Sequence, residues 1–329
     1  MAFFIGATAE KRGKRMKKTL RFSYNLLRSL RPRQWIKNFA LFAAIMFNAQ
    51  LFNGPAFWVT VLAFVAFCSL SSATYLINDV SDRESDKHHP TKKFRPIAKG
   101  DVPPGIALIL AFILFGLGLF MASAITPAFF FASIIYVILQ FTYSLLLKQI
   151  AILDILTIAT GYMIRLYGGE FATGYHISVW LLMTAVSLSL FLAIGKRRSE
   201  MTLLAKFTHI QLPQTRKSLL HYSERLLDVY TMMFATSTFI TYSLFTFLES
   251  PPAISLDILL PQFLPEFLSR KWLMATIPLV VYGIMRYLQD IYEKQEGESP
   301  ERVLLTDKPL LLCVFLWALL VITIIHFLS

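Results

Sequence analysis

The chain has 329 residues, 56% of them apolar and 16% charged, with a mean hydropathy of +0.57. So few charged side chains cannot coat a water-soluble body of this size, which excludes a soluble enzyme and predicts an integral membrane protein whose long apolar runs face lipid. The 32 Lys and Arg against 20 Asp and Glu leave a net charge of +12. In so apolar a chain these charges gather in loops, where they meet anionic headgroups or phosphorylated ligands, and no nucleic-acid partner is expected.

The first 35 residues begin apolar and then turn basic through Lys11, Arg12, Lys14, Arg15, Lys17, Lys18 and Arg21, the reverse of the order in a cleavable secretory signal. Residues 1–37 are therefore read as a basic arm lying on a membrane surface. Arg31, Gln34, Trp35, Lys37 and Asn38 stand where the arm enters the first span, with Trp35 an interfacial anchor.

Breaks at charged or Pro/Gly-rich points leave nine candidate spans, at 38–53, 56–77, 104–122, 126–146, 152–170, 178–195, 226–248, 272–289 and 309–328. Each is close to the roughly 20 residues a helix needs to cross the hydrocarbon core, and none shows the two-residue alternation of a membrane barrel. The expected fold is all-α, with residues 38–329 forming one nine-helix transmembrane domain. Segments 1–37, 78–103, 147–151, 195–225 and 286–308 fall on one side and hold 29 of the 32 Lys and Arg. That side is then cytoplasmic, with the amino terminus inside and the carboxyl terminus outside. The opposite connections are short and nearly uncharged except 249–271, where Pro251, Pro252, Pro261 and Pro265 point to a short interfacial helix. Cys68 and Cys313 sit far apart inside apolar runs and are read as packing residues, not as a disulfide or metal ligands.

Function belongs with the cytoplasmic loops. NDVSDRESD, Asn78 to Asp86, is followed at once by HHPTKKFRP, His88 to Pro96. On a helical continuation of the second span, Asp79, Asp82 and Asp86 fall within about 60° of one another and face one point. A hard divalent cation such as Mg²⁺ removes their repulsion and fills its remaining positions with water and phosphate oxygens. Asn78, Asp79, Asp82 and Asp86 are the candidate ligands, and Arg83, Lys87, Lys92, Lys93 and Arg95 can bind the phosphate charge left over. Adjacent His88 and His89 point in different directions on most backbones and are read as loop or phosphate contacts. A solvated loop with local ion pairs is the plain alternative.

Further along, Lys148 follows Tyr143 by five residues at the end of the fourth span, placed to touch substrate phosphate or a lipid headgroup. Asp154 and Arg165 lie about 20° apart in helical phase with Gly161 between them on the same face. An intramembrane Arg is costly unless it faces protein interior, water or an anion, so Arg165 either lines a substrate cavity or is a structural cation held by a carbonyl or Glu170. After the sixth span come Lys196, Arg197, Arg198, Ser199 and Glu200, then Arg216, Lys217 and Ser218. Lys196 and Glu200 share a helix face, so a cation and an acid can both meet a substrate there, and an ordinary positive-inside flank is the competing reading.

NDVSDRESD resembles the Asn-Asp-x-x-Asp-x-x-x-Asp motif of the UbiA superfamily of intramembrane prenyltransferases, and the resemblance runs from Leu30 onward. Within that superfamily, RPRQWIKN (31–38), YLINDVSDRESDKHHPTKKFRPIAKG (75–100), YMIRLYGG (162–169) and AIGKRRSEM (193–201) are similar to the branch of polyprenyl-phosphate phosphoribosyltransferases. The resemblance implies nine helices around a central cavity open to the cytoplasmic side, in the cytoplasmic membrane of a bacterium. It also implies a Mg²⁺-bound diphosphate, phosphoribosyl pyrophosphate as donor and a polyprenyl phosphate lipid as acceptor. Most of the superfamily carries a second Asp-rich motif where this chain has Lys-Arg-Arg and a single acid, a departure that suits a donor bearing an additional 5-phosphate.

On this reading Asp79, Asp82, Lys196 and Glu200 are catalytic. Lys37, Asn38, Arg83, Lys87, Lys92, Lys93, Arg95, Lys148, Arg165, Arg197 and Lys217 contact substrate, Lys37 and Asn38 through a segment that in the resembled family forms part of the active-site wall. An ordinary prenyltransferase joining an isoprenyl diphosphate to an aromatic acceptor uses the same metal logic and is the nearest alternative. A carrier for a phosphorylated solute is the alternative of another class, disfavoured by nearly bare outer loops and by the absence of a charged motif repeated in both halves. A homo-oligomer is left open.

Overall fold

The computed structural model describes residues 19–88, 91–206, 217–249, 271–294 and 300–328. The basic run Lys11 to Lys18, His89, Arg216, the expected interfacial helix within 250–270 and the side chain of Lys217 lie outside the described residues.

In chain order, helix α1 (19–29) is followed by a 3-10 helix, Pro32–Phe42, and by the short α2, Ala43–Phe47. Then come α3 (Gly54–Ser81), α4 (Arg83–His88), α5 (Pro96–Lys99), α6 (Pro104–Ser123), α7 (Pro127–Leu145) and α8 (Leu153–Thr173). The chain continues through α9 (Val179–Lys206), α10 (Glu224–Leu248), α11 (Ile277–Gln289), α12 (Pro300–Thr306) and α13 (Lys308–Thr323). No strand occurs among the described residues, as the apolar runs require: in lipid, backbone amides must find partners within their own segment.

The helix ends carry their own signals. Thr126, before Pro127, accepts the Phe129 amide at 3.1 Å; Ser223 accepts the Leu226 amide at 3.1 Å; Asp307, before Lys308 and Pro309, accepts the Leu310 amide at 2.9 Å. Each satisfies a first-turn N–H that the helix itself cannot. Gly174 closes α8 at φ 78°, a left-handed conformation that glycine adopts without penalty.

Among the described residues six helices are long and apolar enough to cross a membrane: Gly54–Ser81, Pro104–Ser123, Pro127–Leu145, Val179–Thr202, Glu224–Leu248 and Lys308–Phe327. Three of the nine expected spans depart from that description. The stretch 38–53 is not one α-helix, because a 3-10 helix runs into the five-residue α2, and Arg31 and Ala49, at φ 55° and 57°, bracket the pair. Helix α8 has the length but carries Asp154, Arg165 and Glu170. Helix α11 has only 13 residues, about 20 Å of rise.

The chain divides into two compact units, Met1–Ile36 with Val65–Met121, and Lys37–Phe64 with Ala122–Ser329. In the first, Ala73, Leu76, Ile97, Val102, Ala107 and Ala111 form the buried centre, with Leu26 and Leu30 of the α1 region against it. Trp35 donates to the Ser72 hydroxyl at 2.9 Å, and that hydroxyl donates to the Leu30 carbonyl at 3.0 Å. Trp35 is thus tied into protein by its indole N–H, a correction to its reading as a lipid-interface anchor alone.

In the second unit, α8, α9 and α10 share a core of Ile155, Ala159, Leu190, Ala193, Ile194 and Leu227. A further cluster, Phe191, Ala235, Tyr287, Ile291, Val303 and Leu310, joins α9 and α10 to α11, α12 and α13. Lipid tails are as apolar as leucine, so these contacts act by close packing and not by exclusion of water. Closeness is visible at Gly169, where a Cβ would lie 2.2 Å from the Leu41 carbonyl oxygen; only glycine lets α8 approach the 3-10 segment this nearly.

Candidate active site

The acidic motif lies in the first unit. Helix α3 ends at Ser81, but the Asp82 amide donates to the Asn78 carbonyl at 2.8 Å and the Asp86 amide to the Asp82 carbonyl at 2.8 Å, so the chain keeps a helical path into α4. Asp79 and Asp86, two turns apart, are buried on one face, whereas Asp82 is only half-buried. The expectation that all three carboxylates meet at one point is corrected here: two converge, and they converge on a cation. Arg95 Nη1 lies 3.1 Å from Asp79 Oδ1 and 2.6 Å from Asp86 Oδ2, and Arg31 Nη2 lies 2.5 Å from Asp79 Oδ1.

Buried carboxylates persist only when paired, which explains why both guanidiniums turn inward. Burial works against the charge on Arg31, but the Asp79 carboxylate and the adjacent Tyr75 outweigh it and push its pKa up. For Asp86 burial wins over Arg95 and Lys92, and its carboxyl is pushed above the usual range. Arg31 holds its place at φ 55° with its guanidinium 4.9 Å from the Tyr75 ring centroid, a left-handed conformation of the sort kept where surrounding contacts over-determine it.

The other basic residues of the loop divide. Lys87 pairs locally with Glu84 at 2.7 Å, both side chains exposed. Lys92 is half-buried, Lys93 is exposed with its ammonium 5.3 Å from the Phe94 ring centroid, and Arg83 keeps Nε buried without a hydrogen-bond partner. Arg95 is the residue of this loop that meets the buried acids.

Asn78, Asp79, Asp82 and Asp86 offer only hard oxygen donors, the right chemistry for Mg²⁺. Among the described residues no three His, Cys, Asp or Glu side chains are gathered at ligand distance. Arg31 and Arg95 occupy the lone pairs a metal ion would take, so the carboxylates are arranged to hold positive charge.

The second polar cluster lies wholly within the second unit. Arg197 on α9 is fully buried, the largest such side chain. Its Nε makes an ion-pair contact with Asp154 Oδ2 at 2.9 Å, Nη1 pairs with Glu200, and Nη2 donates to the Tyr143 hydroxyl at 3.1 Å. Asp154 is also fully buried; it accepts from the Tyr222 hydroxyl at 2.8 Å and lies 3.3 Å from the Ser218 hydroxyl, which also reaches the Lys148 carbonyl at 3.0 Å. Tyr222 in turn accepts the Ile152 amide at 2.5 Å, and Ile152 starts α8 at φ 70°. Burial and the neighbouring Asp154 push the Tyr222 hydroxyl well above its ordinary pKa, so it remains a donor. Arg197 is therefore neutralised inside protein, and Asp154 is its partner.

Arg198 points elsewhere, to Asp228 at 2.8 Å and Glu224 at 3.2 Å. Tyr292 also donates to Asp228 at 2.8 Å, and burial with that carboxylate pushes its hydroxyl up to about 12.

Arg165 is buried and donates to the Asn38 side chain at 2.7 Å, the Gly161 carbonyl at 2.7 Å and the Tyr136 hydroxyl at 2.8 Å. Its guanidinium stands 4.8 Å from the Tyr136 ring centroid, a cation over a π face. The carbonyl partner of the structural reading for Arg165 is present in Gly161, whereas Glu170 meets His176 at 2.8 Å. Asn38 is fully buried, with its side-chain oxygen on the Arg165 guanidinium.

Lys196 is different. It is half-buried, makes no hydrogen bond or ion pair of its own among the described residues, and lies within electrostatic reach of Glu200, Arg197, Lys37 and Glu301. Lys37 Nζ is 3.4 Å from Glu301 Oε2. Sequence reasoning missed Tyr222, Asp228 and Glu301, and missed Arg31 as the partner of Asp79. These partners are tens to hundreds of residues apart, and Glu301, next to Pro300, carries the local signature of a helix-start acid.

Comparison with known proteins places these clusters in a family. The UbiA prenyltransferase family matches residues 39–319. The chain is 32% identical over 305 residues to decaprenyl-phosphate phosphoribosyltransferase of Corynebacterium glutamicum, covering 92% of this chain and 86% of that one. It is 35% identical over 298 residues to the protein of the same name from Mycolicibacterium smegmatis, covering 89% of each. Its fold is similar to a solved UbiA homolog from Archaeoglobus fulgidus bound to GPP and Mg²⁺, with TM-score 0.63, 20% identity, and 92% and 99% of the two chains covered. The chain is a member of the UbiA prenyltransferase family.

Proposed function

We propose that the protein transfers 5-phosphoribosyl from phosphoribosyl pyrophosphate to a polyprenyl phosphate and releases pyrophosphate. The observation that carries this reading is the 32–35% identity, sustained over about nine-tenths of the chain, to relatives named decaprenyl-phosphate phosphoribosyltransferase. The replaced second acidic motif supports it, since a cation-rich site suits a donor with two phosphate groups.

Asn78, Asp79, Asp82 and Asp86 would hold Mg²⁺, which when bound neutralises charge on a departing diphosphate. Lys196, with its ammonium uncommitted, receives donor phosphate, and Glu200 keeps Arg197 neutralised beside it. Cations aimed at oxygens that gain charge as the C1 to oxygen bond breaks lower the barrier without moving. The acceptor is a phosphate monoester, already anionic near neutral pH, so it attacks C1 without a general base. The chain's task is orientation. Residues 1–37 serve as an interfacial arm, and nine spans present the reaction site to the cytoplasmic side, amino terminus in and carboxyl terminus out.

Pyrophosphate release by purified protein in detergent tests the reading. It should require phosphoribosyl pyrophosphate, polyprenyl phosphate and Mg²⁺ together. A carrier would release none, and release that needs an isoprenyl diphosphate instead would identify a conventional prenyltransferase.

A further inference from the structure

Lys37 and Glu301 are 264 positions apart, yet the ammonium lies 3.4 Å from Glu301 Oε2. Glu301 is 6% exposed, and a carboxylate so buried must be matched by positive charge. The segment bearing Lys37 is fixed from the other side as well: the next residue, Asn38, accepts from buried Arg165 at 2.7 Å, and the Gly169 backbone presses on Leu41 three residues beyond. Lys37 therefore has little freedom except along its own side chain, and Glu301 governs where that side chain ends.

Lys196 has two further cations, Lys37 and Arg197, within electrostatic reach. Arg197 is balanced by Asp154 and Glu200. Without a further acid, the two lysines would repel and the partly buried Lys37 side chain would swing toward water, because like charges at short range in a low-dielectric site disfavour each other. Glu301 supplies that acid from a helix remote in sequence, in the neighbourhood where the chain's own second motif is poor in acids.

We infer that Glu301 is a positioning residue: it holds the Lys37 ammonium beside Lys196 so that the two lysines together receive a phosphate group of the donor. This rests on the proposed phosphoribosyl transfer. Glu301 touches no substrate, and its effect passes through Lys37.

A double-mutant cycle tests it, with Michaelis constants measured separately for phosphoribosyl pyrophosphate and polyprenyl phosphate. Glu301→Gln keeps size and hydrogen bonding but removes charge. It should raise the donor KM about tenfold and leave the lipid KM within about twofold, with Glu301→Asp recovering part of the loss. In a Lys37→Met background the same Glu301→Gln change should have no further effect on donor KM. Independent, multiplying effects in the cycle, or an equal rise in both Michaelis constants, would overturn the inference. If Glu301→Gln does not yield folded protein, Glu301→Asp in the two backgrounds carries the same comparison. Failure of the underlying reading is distinguishable, because the wild-type protein would then consume no phosphoribosyl pyrophosphate at all.

Discussion

Replacing Asp154 by Leu should destabilise the protein sharply, whereas replacing Asp154 and Arg197 together should not. Asp154 and Arg197 are both fully buried, 2.9 Å apart, and Asp154 also receives the Tyr222 hydroxyl at 2.8 Å. Removing one member of such a pair leaves an uncompensated buried charge at a cost of about 3–5 kcal/mol, and an orphaned Tyr222 donor adds about 1 kcal/mol. Glu200 still pairs with Arg197, so the total should sit near the lower limit, about 3 kcal/mol. At about 2 °C per kcal/mol for a protein of this size, Tm should fall by about 6 °C.

In Asp154→Leu/Arg197→Met the fully buried pair vanishes together, and Glu200, released from Arg197, still has the Lys196 ammonium within electrostatic reach, so part of the loss should be recovered, as for other ion pairs exchanged for apolar side chains. Thermal unfolding in detergent, followed by size exclusion at each temperature, measures both. A single variant that melts within about 1 °C of wild type, or a double variant that loses the sum of the two single losses, would refute the reasoning.

Other consequences follow from the same geometry. Asp82→Ala should lower Mg²⁺-dependent turnover at least about a hundredfold with little change in Tm, because Asp82 is half-buried and Asp79 and Asp86 are the residues that bind Arg95; titrating Mg²⁺ against rate measures it. Asp86 has its pKa raised by burial, so the folded state binds the extra proton and the cost of ionising Asp86 appears as pH rises through and above the carboxylate range. Asp86→Asn, which cannot ionise, should therefore gain stability relative to wild type as pH rises above the ordinary carboxylate range, read as a difference in Tm that grows with pH. Gly169→Ala places a Cβ 2.2 Å from the Leu41 carbonyl and should cost about 2 kcal/mol or more, visible as a lowered Tm, since backbone and not a flexible side chain must move.

Much of this molecule is readable along the chain because its signals are local. Apolar runs near 20 residues mark α6, α7 and α10, and Thr126, Ser223 and Asp307 mark helix starts by the residue types that cap them. The helical phasing of Asp79 and Asp86 also survives, because hydrogen bonds carry the helix across the α3 to α4 junction. The first span is not readable in this way: apolar content within 38–53 predicts an α-helix, and periodicity says nothing about a 3-10 segment set by close packing on Gly169.

Partners across long sequence separations are hidden for a related reason. Arg31 and Asp79, Arg197 and Asp154, and Lys37 and Glu301 are each chosen by burial, where an acid must meet a cation, and burial of a charge leaves no periodic trace in sequence. The basic residues of the second cluster read alike as Lys-Arg-Arg-x-Glu. Their roles diverge only in the fold, with Arg197 buried in acids, Arg198 turned to Asp228 and Lys196 left available.

The most direct test of the account is the fate of a radiolabel in the ribose of phosphoribosyl pyrophosphate when purified protein, Mg²⁺ and polyprenyl phosphate are combined and the mixture is partitioned. The account predicts label in the lipid phase, dependent on Mg²⁺ and lost in Asp82→Ala and Lys196→Ala. Label that stays aqueous while an isoprenyl diphosphate and an aromatic acceptor are consumed would contradict it.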